Sequence, residues 1–133
     1  MMRDLVDVLH EFKVFYLATE GDGKPHVRPF GAVVRYDGRV WFCSHDAKNV
    51  CRQMKTNPQI EIAATGPDAA WVRVTGKAVF EDNLGAKNAM FALMPQLRDM
   101  YAAQMDHFVV FYLQDATAVL CKIDGTKIED LQV

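Results

Sequence analysis

Nothing in this chain of 133 residues approaches the ~18 uninterrupted apolar residues of a membrane-spanning helix. Cysteine is scarce: Cys43, Cys51 and Cys121 form no C-x-x-C pair and have no histidine at zinc-finger spacing, so no metal site is expected. An odd cysteine count with no secretory leader favours a reducing compartment, where cysteine acts as a small apolar residue. Asp4 and Asp7 interrupt the amino-terminal segment, which speaks against secretory or mitochondrial targeting, and the expected location is cytoplasmic. A large excess of charge is also missing. The formal net charge is -2 and the fifteen Lys and Arg are dispersed, so neither nucleic acid nor a membrane is an expected partner. Internal repeats, low-complexity tracts and linkers are absent.

What is present is a hydrophobic half of the sequence, enough for one domain over residues 1–133 to bury a core without disulfide staples. Leu5, Val8, Leu9 and Phe12 recur at helical spacing and predict a short amphipathic helix. Residues 14–19 are β-branched and aromatic, and Gly21-Asp22-Gly23-Lys24-Pro25 supplies turn chemistry after them. A second strand over 26–35 is expected to turn at Tyr36-Asp37-Gly38 into a third over 40–43, giving three consecutive antiparallel strands. Residues 47–55 read as a helix capped by Asp46 and ended by Asn57-Pro58. Strands follow over 59–64 and 71–80, with Gly76 a bulge or barrel bend. Asp82 or Asn83 caps a helix through Met94, Pro95 stops it, and a second helical piece lies near Tyr101. Strands over 108–113 and 117–122, turning at Gln114-Asp115, complete the pattern. Hairpins joined by occasional helices indicate α+β with closure into a small barrel rather than a doubly wound sheet.

Proline inside the strand-like run His26-Val27-Arg28-Pro29-Phe30 is the most informative feature, because a residue without an N–H cannot serve a paired strand interior. It predicts a bulge or an edge where backbone groups face something other than a strand. Two-residue periodicity puts His26, Arg28 and Phe30 on one face and Val27 and Pro29 on the other. Arg28 is either solvated or a fork for a phosphate. Ser44 and Lys48, at a strand-to-helix corner, are either ordinary capping and surface residues or a second anion-binding element. Asp46 opposes the second option unless its side chain turns away. Trp71 and Arg73 share a strand face and form either a packing pair or a flat cover for a ring system. Taken together, these stretches suggest a planar cofactor bearing a phosphate, with flavin mononucleotide (FMN) the choice.

Five runs in register, Phe15-Tyr16-Leu17-Ala18-Thr19, Val27-Arg28-Pro29-Phe30-Gly31, Phe42-Cys43-Ser44 with Lys48, Asn57-Pro58, and Trp71-Val72-Arg73-Val74-Thr75-Gly76-Lys77-Ala78, give the chain a family likeness. It resembles the pyridoxamine 5'-phosphate oxidase-like, FMN-binding split-barrel superfamily over nearly its whole length. The likeness is to the small single-domain members, which include nitroimidazole-resistance (Nim-type) and general stress proteins. The resemblance implies a six-stranded antiparallel Greek-key split barrel with a few flanking helices, forming a homodimer with two FMN sites at the interface. It assigns Arg28, Ser44 and Lys48 to the phosphate, with Cys43 beside them, and the backbone around Val27, Pro29 and Phe30 to the rim of the isoalloxazine. Trp71 and Arg73 match a strand that lies near the flavin in such proteins, sometimes from the partner chain. The oxidases proper carry a carboxy-terminal segment with substrate-binding basic residues, whereas this sequence ends at Val133, so oxidation of pyridoxamine phosphate is not the expected activity. The implied function is an oxidoreductase passing hydride or electrons from a reduced nicotinamide to a small acceptor. The alternatives are a flavin-binding or electron-transfer protein without turnover, and a haem- or deazaflavin-binding barrel. No catalytic residue is assigned; His26 and His45 are both candidates for a proton donor.

Overall fold

The computed structural model describes residues 2–133, which open with helix α1 (Leu5–Phe12). Leu5, Val8 and Leu9 are buried on one side of it. Asp4 caps its start, accepting from the Val6 amide at 2.8 Å and from Arg35 Nε at 2.7 Å. Burial acts to raise the Asp4 pKa, but Arg35 and the amide outweigh it and hold the carboxyl below its ordinary value. A carboxyl lowered on folding stabilises fully above its unfolded value of about 3.9, and that contribution is lost as pH falls through the lower folded value. Asp4→Ala is therefore expected to cost about 1 kcal/mol in urea unfolding at neutral pH, with the difference from wild type closing in strong acid.

Strands β1 (Phe15–Gly21) and β2 (Lys24–Phe30) form one hairpin, and β3 (Val33–Tyr36) and β4 (Arg39–His45) a second. Their turns, Asp22-Gly23 and Asp37-Gly38, hold both central residues at positive φ, the primed geometry that suits strand twist. The continuous strand expected over 26–35 is thus two strands, interrupted at Gly31-Ala32 and paired to different partners. The three-stranded meander does not form, for a simple reason. Proline has no N–H, so Pro25 and Pro29 fit opposite Glu20 and Tyr16 only with their nitrogens turned to the outer edge. That edge cannot carry a ladder, and β3 pairs with β4 instead.

Helix α2 (Asn49–Thr56), β5 (Gln59–Thr65), β6 (Trp71–Phe80), α3 (Leu84–Leu93), α4 (Pro95–Tyr101), β7 (Phe108–Cys121) and β8 (Lys127–Leu131) complete the chain. The strands lie in the order β2-β1-β5-β6-β7-β4-β3, with β8 also on β7 and every named ladder antiparallel. This is an α+β split barrel of eight strands rather than six. The two strands expected at 108–113 and 117–122 are one fourteen-residue strand. Asp115, expected in a turn, sits at φ 51 within it. Opposite, the β6–β7 register shifts between Thr75 and Lys77, so the irregularity expected at Gly76 is there, with the extra residue carried by β7. A Cβ on Gly76 would lie 2.7 Å from the Ala116 Cβ, so glycine is what lets the strands approach there.

Two apolar clusters result. Inside the barrel, Phe42 stacks on Phe111 at 5.3 Å between centroids and meets Phe15 edge-on at 5.7 Å, among Leu17, Ile62, Val72 and Val74. The second cluster joins Trp41, Val110 and Phe108 to Met90, Phe91 and Tyr101 of α3 and α4. No helix among the described residues is long and apolar enough to cross a membrane.

Candidate functional site

Between these clusters lies a cleft of about 270 Å³, bounded by the end of β2, the end of β4, the start of α2, and α4. The arginine, serine and lysine singled out in the sequence meet there. Arg28, Pro29, Phe30, Cys43, Ser44 and Lys48 all line it. Among the described residues its only charged lining side chains are the cations Arg28 and Lys48, and the opposite wall is apolar, built from Met94, Leu97, Met100, Tyr101 and Phe108.

Alternation along β2 aims Arg28 inward beside α2. Its Nη1 donates to the Leu17 carbonyl at 3.2 Å and to Thr19 Oγ1 at 2.8 Å, and its Nη2 donates to Gln53 Oε1 at 2.8 Å. Burial lowers the Arg28 pKa from its ordinary value, yet a guanidinium stays charged in proteins. Ser44 is buried within β4 rather than at a helix corner, because α2 starts only at Asn49. The expected cap, Asp46, does not cap. Lys48 holds the N-cap position and its side chain does not cap the helix; Cys51 N–H donates to the Lys48 carbonyl at 3.1 Å, while the Asn49 and Val50 N–H groups have no intrahelical partner among the described residues. Asp46 instead accepts from His107 Nδ1 at 2.9 Å, which turns its carboxylate away from the cleft.

That contact belongs to a latch. His45 Nδ1 accepts from the Ala47 amide at 3.0 Å, so its proton resides on Nε2, facing Gln104 Oε1 at 3.2 Å. The His45 and His107 rings stack at 5.3 Å. Together they tie the segment after α4 to the β4–α2 corner and fix Tyr101 over the cleft.

Cys43 contributes an inert wall. Burial pushes its thiol up to about 12 despite the nearby Lys48, so it is no thiolate nucleophile at neutral pH. Burial likewise raises the Cys51 thiol, opposed by the Ser44 hydroxyl beside it, and raises the Tyr101 phenol.

Of the nominated residues, Val27, Trp71 and Arg73 do not line the cleft. Val27 is 68% exposed on the outer face of β2, where two-residue alternation turns its backbone, with that of Pro29, to the open edge. Phe30 lines the cleft, its backbone lying opposite Phe15 and its ring against Phe15 and Phe111. Trp71 and Arg73 do not line this cleft in their own chain. Arg73 sits 4.8 Å over the Trp71 ring and pairs with Glu61 at 3.0 Å on the outer sheet face. His26 lines an adjoining hollow shared with Arg28, Lys48 and Gln53. Residues that the sequence reading did not nominate are Thr19, Gln53 and the apolar wall of α4.

A separate hollow of about 320 Å³, lined by Lys55, Glu81, Asp82, Lys87 and Asp106 among others, mixes both signs of charge. Lys87 is paired to Asp82 at 3.1 Å and Lys55 lies over the Phe80 ring. No group of three or more His, Cys, Asp or Glu among the described residues is arranged to hold a metal ion.

Comparison with known proteins extends this geometry. A NimC/NimA family protein from Clostridium acetobutylicum is 33% identical, with 96% of this chain and 89% of that chain covered and a TM-score of 0.86. General stress protein 26 from Bacillus anthracis shares the fold at 17% identity and a TM-score of 0.71, over 97% of this chain and 95% of that one. A protein from Mesorhizobium loti described as FAD-binding does so at 16% identity and a TM-score of 0.59, over 89% and 95%. No curated protein matches. The family model described as pyridoxamine 5'-phosphate oxidase matches residues 1–121, nearly the full length, and the chain therefore belongs to the pyridoxamine 5'-phosphate oxidase-like family.

Proposed function

We propose that the cleft holds FMN, and that the protein is an oxidoreductase working as a homodimer. One observation carries the reading: a cleft whose only charged lining residues, among those described, are Arg28 and Lys48 abuts an uncapped helix start, with apolar walls beyond. Such a site suits a dianion attached to a flat, largely apolar body. Arg28, Ser44 and Lys48 would hold the phosphate, and Phe30, Tyr101, Met94 and Met100 would face the ring system. The family supports a flavin, and the Mesorhizobium loti neighbour is described as FAD-binding. The terminal monophosphate of FMN is the simpler match to a single cationic end. When bound, the flavin supplies hydride and electron transfer; this chain orients it and shields it from water. No histidine lines the cleft among the described residues, which disfavours the haem alternative.

Pairing with a second copy is supported by the outer sheet face. Tyr16 is 50% and Val27 68% exposed, and the register Tyr16↔Pro29, Tyr16↔Ala63, Ala63↔Arg73 makes them neighbours of Pro29, Ala63 and the Trp71–Arg73 pair. In a dimer across this face, Trp71 and Arg73 would approach the partner's site. Light scattering at micromolar concentration should give twice the chain mass, and Tyr16→Glu with Val27→Asp should give the single mass; a monomeric wild type would refute the shared interface.

The cofactor is tested by titrating apo-protein with FMN and with riboflavin, which lacks the phosphate. FMN should bind about a hundredfold tighter or more, the worth of two charge-assisted contacts. Equal affinity would remove the phosphate assignment. Oxidation of NADH or NADPH by the loaded protein under air then separates an oxidoreductase from a flavin carrier.

A further inference from the structure

Of the five N–H groups of Arg28, three are engaged inside the protein by Leu17, Thr19 and Gln53. Thr19 Oγ1 also donates to Gln53 Oε1, at 2.6 Å, closing a ring of three side chains. Because the two acceptor oxygens lie so close together, both sit at the Nη1/Nη2 end of the guanidinium. What remains, with no partner among the described residues, is one N–H on Nε and one on Nη2. In a planar guanidinium those two share a side and run parallel, the arrangement that meets two oxygens of one phosphate. The ring is held from behind: Thr19 is only 5% exposed, and a Cβ on Gly21 would lie 3.0 Å from the Gln53 side chain. Gln53 also belongs to α2, the helix that begins beside Lys48, so one helix sets both cations.

We propose that Gln53, backed by Thr19, is a positioning residue that turns the Nε/Nη2 side of Arg28 toward the anion end of the cleft. Gln53 touches Arg28 and not the ligand; it acts by removing the rotational freedom that a long side chain otherwise loses on binding. The identity of the anion as the FMN phosphate rests on the proposal above, while the orientation of Arg28 does not.

Two measurements on the whole protein test this. In heteronuclear NMR without ligand, wild type and Gln53→Glu, which retains the acceptor, should show separate Arg28 Nη signals because rotation about Nε–Cζ is blocked. Gln53→Met, of similar shape but with no acceptor, should average them. Averaged signals in wild type, or separate ones in Gln53→Met, overturn the inference whatever the cleft binds. In titrations, Gln53→Met should lose about tenfold in FMN affinity and keep its riboflavin affinity. An unchanged FMN affinity, or an equal loss for riboflavin, overturns the positioning role while leaving the cofactor assignment standing. A wild type that does not prefer FMN removes that assignment and with it the phosphate partner, and the NMR result still decides whether Gln53 orients Arg28.

Discussion

Arg28→Ala combined with Lys48→Ala is expected to lower FMN affinity by about a hundredfold to ten-thousandfold, since a hydrogen bond to a charged group contributes about 1.5–3 kcal/mol and two such contacts are removed. Riboflavin affinity should change far less, because the deleted groups are the ones proposed to meet the phosphate. The two positions differ in kind. Arg28 is fixed by Thr19 and Gln53 and meets its ligand with little rotamer entropy left to lose, whereas Lys48 is exposed at the helix start and is screened by water and salt. Arg28→Ala alone should therefore account for most of the loss, and the Lys48 contribution should shrink as ionic strength rises. The fold should survive, since neither residue belongs to the apolar core and Thr19 can still bond Gln53. Fluorescence titration of apo-protein at two salt concentrations reads all of this. An affinity for FMN that is unaltered in the double variant removes the phosphate site from this cleft.

How much of this was legible in the sequence depends on whether the controlling interaction is local. The Asp-Gly turns, the amphipathic α1, the ladder irregularity at Gly76 and the Asn57-Pro58 helix end follow from a few adjacent residues, and each stands where those residues predict it. Pro29 was readable as an edge signal for the same reason. What failed depends on distant partners. Asp46 looks like a helix cap, but its partner is His107, sixty-one residues away, so the helix starts at Asn49, two residues later than expected. Gln114-Asp115 looks like a turn, yet the extra residue is taken up as a bulge in β7 opposite Gly76, and the strand continues. Strand β8, Lys127-Ile128-Glu129-Asp130-Leu131, has little apolar alternation because only Leu131 is buried. The Thr19–Arg28–Gln53 ring escapes a linear reading altogether, as it joins a strand, its hairpin partner and a helix. Its one faint signal is that Thr19 stands opposite His26, two residues from Arg28, in the hairpin register.

Phe111→Ala should be the most destabilising of the substitutions considered, by about 3–5 kcal/mol in urea unfolding, because a fully buried phenylalanine loses both its transfer energy and the contacts around the cavity left behind. Phe111 is inaccessible to solvent and touches rings from three other strands, Phe42 at 5.3 Å, Phe80 at 5.2 Å and Phe30 at 6.3 Å. Close packing lets no neighbour collapse fully into the space. Against a total of about 5–15 kcal/mol for a domain, this is a large fraction, so the variant should unfold at a much lower urea concentration with the slope unchanged. Phe111→Leu, which keeps most of the volume, should cost much less. The same substitution reaches the cleft, since Phe30 lines it and rests edge-on against Phe111. With that support removed, FMN affinity should fall several-fold at a temperature where the variant remains folded, and riboflavin affinity should fall with it, because Phe30 is proposed to face the ring system and not the phosphate. A loss confined to FMN would put Phe30 at the anionic end of the ligand and reverse its direction in the cleft.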